Sequence, residues 1–338
     1  MKMQGTVTPI TYGTVCSGIE ATTVAWKPLG WEAQWYSEIE PFPCAVLQHH
    51  YPTVPNLGDM TKICGKREFI GSDIDLLVGG TPCQSWSTAG NGAGLDDPRG
   101  QLAMEFVRIA AVKKPRWIVW ENVPKVLSCH GGMDFAFFLG QIRNLRYGLA
   151  YRVLDAQYFG VPQRRRRLFL VGYLGDWRPP LLALFDPEEF WNPLERGSRN
   201  KKRSLSEFQK RCSDDELPIG VDTFNYTVTG DVAVTLTAHS YGRTNIGPKI
   251  MDRHGIRTPT PTECERLMGF PDGYTLVDYP CRGKRQLEKS RIGALGNSMA
   301  VPVMRWIGEG IAAFEAGLRR WKPLPGSAIP VAKMVSGE

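Results

Sequence analysis

The chain has 338 residues, enough for two domains or for one large domain with an insertion, and enough to bury a core without disulfides or metals. Hydrophobic residues make up 42% and charged residues 22%, which excludes wholesale disorder. The net charge of +7 is compatible with a polyanionic partner, but it is confined: residues 141–211 hold fifteen Lys/Arg against seven Asp/Glu, so the rest of the chain nets −1. A uniformly basic surface is thereby excluded, and a basic face on one sub-region is expected.

Other classes drop out as well. No run of ~18 apolar residues offers a membrane span, and Met1–Ile10 lacks the apolar centre of a secretory leader. The eight cysteines contain no CxxC pair, so no metal site is expected, and they are read as reduced thiols of a cytoplasmic protein.

Short apolar runs alternate with helix-like stretches over the first 175 residues. Thr11–Cys16 reads as a strand, Ala21–Trp26 as the opening of a helix, Trp31–Ser37 as a strand, and Pro41–His50 as a helix with proline at its start. Ile74–Val78 is a buried strand ending in Gly79-Gly80. Gly100–Lys114 has helical spacing, and Trp117–Trp120 is a second buried strand, ending at Glu121-Asn122. Met133–Arg146 is helical, Leu149–Ala156 extended, and Arg167–Tyr173 a strand. This alternation predicts a parallel, doubly wound α/β sheet, whose loops after Cys16, Ser37, Val78 and Trp120 face one cleft. The pattern breaks at Trp177-Arg178-Pro179-Pro180, taken as a boundary. Residues 181–255 read as a smaller, loop-rich β domain, and helical periodicity returns at Thr262–Met268 and Ala300–Leu318.

Cys83 follows a buried strand and leads into the glycine-rich segment Ala89–Gly94, a position suited to a nucleophile. Alone, it reads better as a small buried hydrophobe. Its company changes that reading. Glu121 ends the next strand and Gln163–Arg167 precedes another, so a thiol, an acid and an arginine cluster meet at one sheet edge. Together they suit an anionic substrate. Each has a plainer reading, as a helix cap for Glu121 and a solvated basic face for the arginines.

The motifs then carry a resemblance. Val15–Ala21, Ser37–Pro41, Gly58–Thr61, Pro82-Cys83-Gln84, Glu121-Asn122-Val123, Gln163–Arg167, Thr260–Pro271 and Gly296-Asn297-Ser298 stand in the order found in the DNA (cytosine-5)-methyltransferases of bacteria and phages, which the chain resembles over residues 15–298. The family's first motif often reads aromatic-x-Gly-x-Gly-Gly; here it is Cys16-Ser17-Gly18-Ile19-Glu20-Ala21.

The resemblance implies a Rossmann-like catalytic domain over 1–178, completed by 288–338, and a smaller target-recognition domain over 179–287. It implies transfer of a methyl group from S-adenosyl-L-methionine, leaving S-adenosyl-L-homocysteine, to carbon 5 of a cytosine flipped out of duplex DNA. Cys83 would be the nucleophile at carbon 6, Glu121 would contact ring nitrogen 3 and the exocyclic amine, and Arg165 and Arg167 would hold the base and a nearby phosphate. Cys16, Ser17, Gly18, Ile19, Glu38, Ile39, Asp59, Pro82, Asn297 and Ser298 would line the cofactor site, with Glu38 on the ribose hydroxyls, Ile39 on the adenine face and Asp59 on the adenine amine. Gln84, Ser85, Ser87, Arg99, Gln163, Arg164, Thr235 and Leu236 would face DNA, the loop 84–100 closing over the flipped base. Lys201–Arg203 and Lys210-Arg211 would meet phosphates. A monomer is expected, with a cognate restriction endonuclease as a candidate partner. Three alternatives stay open on the sequence: a tRNA methyltransferase on the same scaffold, although that branch's Cys-Phe-Thr signature is absent; an inactive DNA-binding homologue; and a nucleotide-dependent oxidoreductase, although no GxGxxG follows the first strand.

Overall fold

The computed structural model describes residues 9–82, 100–185, 219–222, 225, 227–241, 247–252 and 255–319. Its first half runs β1 (Thr11–Val15), α1 (Ala21–Trp26), β2 (Glu32–Trp35), α2 (Pro41–His50), α3 (Arg67–Ile70), β3 (Leu76–Gly79), α4 (Leu102–Lys113), β4 (Trp117–Asn122), α5 (Met133–Asn144), β5 (Tyr147–Asp155), β6 (Arg166–Leu174) and α6 (Arg178–Leu184). Four short strands follow: β7 (Ile219–Asp222), β8 (Thr227–Gly230), β9 (Lys249–Asp252) and β10 (Gly255–Arg257). Three helices close the described chain: α7 (Pro261–Met268), α8 (Lys284–Asn297) and α9 (Val301–Glu315).

The large sheet has the order β2-β1-β3-β4-β6-β5. Its first four strands are parallel, as the β-α alternation predicts. β6 is antiparallel to both neighbours, so the sheet is mixed rather than wholly parallel. The cause lies in the link: residues 156–165 hold one 3-10 turn, Ala156–Tyr158, and no crossover helix to return the chain in parallel.

The central strands are buried on both faces. In β4, Trp117 and Val119 enter one apolar cluster while Ile118 and Trp120 enter the other, and Phe169 and Val171 of β6 are divided from Leu168 and Leu170 in the same way. α1, α6 and α9 pack together on the first face, and α4 and α5 on the second.

Trp177–Pro180 does not end the layer. These residues open α6, with prolines in the first turn where a missing N–H costs little, and both are buried against β5 and α9. The small sheet is antiparallel, in the order β10-β9-β7-β8. The chain after it rejoins the large core: Cys264, Met268, Phe270, Tyr274 and Val277 share a buried cluster with Ile19, Val46 and Leu295. α7 begins with a capping box, Thr260 and Glu263 satisfying each other's backbone amides, and Arg257 clamps Glu263 through two 2.8 Å bonds.

Candidate active site

The carboxyl ends of β1 to β4 open into one cavity of about 410 Å³. Cys16, Gly18, Glu38, Ile39 and Asp59 line it at the β1–β2 end, Glu121, Arg165 and Arg167 at the β4–β6 end, Pro82 lines it too, and Asn297 reaches in from the end of α8. Ser17, Ile19 and Ser298 are adjacent in the chain but are not part of the lining.

The first end is built on a turn in which every second residue is left-handed: Cys16, Gly18 and Glu20 have φ of 51°, 57° and 60°. Such angles suit glycine and strain other residues. The turn is tied down by its neighbours. Gly18 N donates to Glu38 Oε2 at 2.7 Å, Ser17 Oγ accepts from Ser37 N at 3.0 Å, and Tyr274 Oη donates to the Ile19 carbonyl at 2.8 Å. Glu38 Oε1 accepts two further amides, from Ile39 and Glu40, each at 2.8 Å. Three of its roughly four acceptor directions are therefore filled by backbone, leaving one for a ligand hydroxyl rather than two. Asn56 fixes the same residue by bonding both its N–H and its carbonyl. Ile39 beside it is 66% exposed, an apolar face turned to solvent at the cavity edge. Asp59 spends Oδ1 on capping Thr61 and sets Oδ2 3.3 Å from Lys62, and the Thr61 bonds hold its carboxyl below the usual range. Burial, with Glu38 and Asp59 nearby, pushes the Cys16 thiol up to about 12, so it stays neutral.

At the other end Glu121 is buried, and burial raises its carboxyl pKa against the pull of Arg167 and Arg165. Arg167 Nε lies 3.2 Å from Glu121 Oε1. The segment leading to Cys83 is held to the same strand: Trp120 Nε1 donates to Thr81 Oγ1 at 2.9 Å and Asn122 Nδ2 to the Thr81 carbonyl at 3.2 Å. Sequence reading missed Thr81. Its signal was a hydroxyl one residue from the motif, opposite a tryptophan whose buried N–H needs an acceptor.

Three expected contacts need correction, those of Arg165, Gln163 and Leu236. Arg165 was expected on the base and phosphate, but its guanidinium donates to the carbonyls of Leu236, Gly296 and Ser298 at 2.7 to 2.9 Å, stapling the segment that enters β6 to the two later segments. Gln163 was expected to face DNA, yet it is fully buried. It donates to the Leu267 carbonyl and accepts from Leu236 N, both at 2.8 Å. Leu236 is itself buried, and Thr235 Oγ1 donates to the Arg164 carbonyl. Arg164 is exposed, as is Arg166. Gly296 permits the close approach: a Cβ there would lie 2.2 Å from the Thr237 backbone. Also unforeseen is a buried network in which Glu265 accepts from Arg291 at 2.9 Å and from the amides of Gly273 and Thr275. Cys129, His130 and Asp134 cluster after β4, with His130 Nδ1 3.0 Å from Asp134 Oδ2.

Cys83, Gln84, Ser85, Ser87 and Arg99 lie outside the described residues, as do Lys201–Arg203 and Lys210-Arg211.

The family model described as "C-5 cytosine-specific DNA methylase" matches residues 11–209 and 188–313. The chain belongs to that family. Among curated relatives of this C-5 cytosine methylase chain, the type II methyltransferase M.MspI of Moraxella sp is 29% identical, covering 88% of this chain and 69% of the relative. Another, from Escherichia phage P1, is named a DNA N-6-adenine-methyltransferase. It is 32% identical over 89% of this chain, which spans only 61% of that relative's length. Among solved structures, the Dnmt2 methyltransferase of S. pombe superposes with a TM-score of 0.64 at 17% identity, covering 92% of this chain and all of that one. The Entamoeba histolytica methyltransferase EhMeth gives 0.63 at 14%, covering 93% of this chain and all of its own. These two likenesses concern the fold.

Proposed function

We propose that this family member methylates carbon 5 of cytosine in a specific sequence of duplex DNA, through a covalent adduct of Cys83 with carbon 6. The observation that carries the reading is Glu121: a buried carboxyl with a raised pKa, held by Arg167 in the same cavity as the Gly18 turn. That cavity fits S-adenosylmethionine in size and lining, with a remaining acceptor on Glu38 for a ribose hydroxyl and Ile39 for an adenine face. When bound, S-adenosylmethionine supplies a methyl group on a sulfonium.

A flipped cytosine is an unreactive aromatic ring until a nucleophile adds to it. The Cys83 thiolate adds to carbon 6, and the displaced electron pair makes carbon 5 able to take the methyl group. Loss of the carbon-5 proton to a base then expels the thiolate and restores the ring. Glu121, whose hold on a proton burial strengthens, donates to nitrogen 3 and withdraws electrons from carbon 6. Arg167 orients that carboxyl, and Arg165 fixes the wall behind it. The small antiparallel sheet, inside the expected 179–287 unit, is assigned to target recognition. Working as a monomer beside a cognate restriction endonuclease is part of the same reading.

Methyl transfer from labelled S-adenosylmethionine to DNA tests it. Cys83→Ser is expected to abolish transfer while binding of S-adenosylhomocysteine and DNA persists. Transfer at the wild-type rate in that variant contradicts the mechanism.

A further inference from the structure

Glu20 is an ionisable side chain where the chain leaves a buried strand, it is 1% exposed, and burial pushes its carboxyl up to about 7. Its backbone is left-handed at φ 60°, ψ 54°, a conformation glycine adopts freely and glutamate does not. Its carboxyl group accepts three hydrogen bonds. Oε1 accepts from Thr14 Oγ1 at 2.6 Å, and Oε2 accepts from Thr23 Oγ1 at 2.6 Å and Thr23 N at 3.2 Å, capping α1. Thr14 Oγ1 lies 2.6 Å from Ser17 Oγ, and Thr23 Oγ1 is bonded to Tyr12 and Tyr36, so the anchor extends through β1 and the end of β2. Two residues earlier, Gly18 lines the cavity with its amide on Glu38.

Resting on the cofactor reading above, we propose that Glu20 is a positioning residue that does the conformational work of a glycine. Its buried carboxylate holds residue 20 left-handed and so keeps the Gly18 turn in the shape that receives S-adenosylmethionine. The side chain touches no ligand. A strained backbone persists only where its surroundings over-determine it, and the three hydrogen bonds to Thr14 and Thr23 supply that constraint here.

Calorimetric titration of the full-length protein with S-adenosylhomocysteine, alongside thermal melting, tests this. Glu20→Ala loses the anchor but keeps a Cβ, and its affinity is expected to fall about tenfold, the equivalent of one left-handed alanine. Glu20→Gly loses the same hydrogen bonds without the backbone penalty, and its affinity is expected within about threefold of wild type. Both variants lose thermal stability, so a purely structural role would rank them together in binding too. Thr14→Val, which leaves Glu20 in place and removes one anchor, is expected to weaken binding by about threefold and keeps the question open to test if Glu20→Ala does not fold. Wild-type affinity in Glu20→Ala or Thr14→Val, or equal weakening in Glu20→Ala and Glu20→Gly, overturns the proposal. A wild-type protein that takes up no S-adenosylhomocysteine refutes the cofactor reading itself, and this inference with it.

Discussion

In the proposed mechanism Glu121 keeps a proton beside bound DNA, and its surroundings make opposing demands. Burial raises its pKa, while Arg167 at 3.2 Å and Arg165 lower it, with burial prevailing. The protonated form is the one that can donate to nitrogen 3. Activity should therefore be held below the raised folded-state pKa of Glu121 and lost as pH rises through it. Glu121→Gln keeps an N–H donor but cannot supply a proton. It should lower the transfer rate by roughly 10²- to 10⁴-fold and remove that limb of the pH profile, with S-adenosylhomocysteine affinity unchanged. A Glu121→Gln enzyme that keeps the wild-type rate and limb would assign the proton elsewhere.

At the scale of elements, the strands and helices of the first half other than α3 and α6 were legible because their apolar periods and glycine or proline ends are local signals. The direction of β6 was not, since composition carries no strand polarity and only the short β5–β6 link decides it. α6 was hidden by Pro179-Pro180, which read as a boundary although prolines also start helices. α8 was hidden by its charge: Lys284, Arg285, Glu288, Lys289 and Arg291 obscure a buried stripe of Ile292 and Leu295. The Gln163–Arg167 run misled for a related reason. Gln163 and Arg165 point inward while Arg164 and Arg166 point out, a period of two that the uniform polarity of the run conceals. Beyond the local bonds of Glu38 to Ile39 and Glu40, what Glu38 and Arg165 touch depends on partners 18 to 133 residues away in the chain, which no motif records. Arg165→Met would strand three buried carbonyls. It should cost roughly 3 kcal/mol or more of stability, read as a lower denaturation midpoint; an unchanged midpoint would show the staple to be dispensable.

For the whole molecule, the +8 charge of residues 141–211 divides differently than the motif order suggested. Within Gln163–Arg167 only Arg164 and Arg166 are exposed to meet a polyanion, while Arg165 is consumed inside the protein. DNA affinity should fall steeply with added salt as counterions compete for the exposed cations. Binding of S-adenosylhomocysteine, a zwitterion without net charge that releases few counterions, should change little. If both fell together, the separation between an outer docking surface and an inner cofactor site would be wrong. The central claim, a Cys83-dependent methylation of cytosine carbon 5, is tested most directly by bisulfite sequencing of DNA from cells expressing the wild-type chain or Cys83→Ser. Cytosines protected in one sequence context by the wild type and unprotected in the variant are the predicted result. No protected cytosine in the wild-type DNA, with methyl groups found on adenine instead, would contradict it.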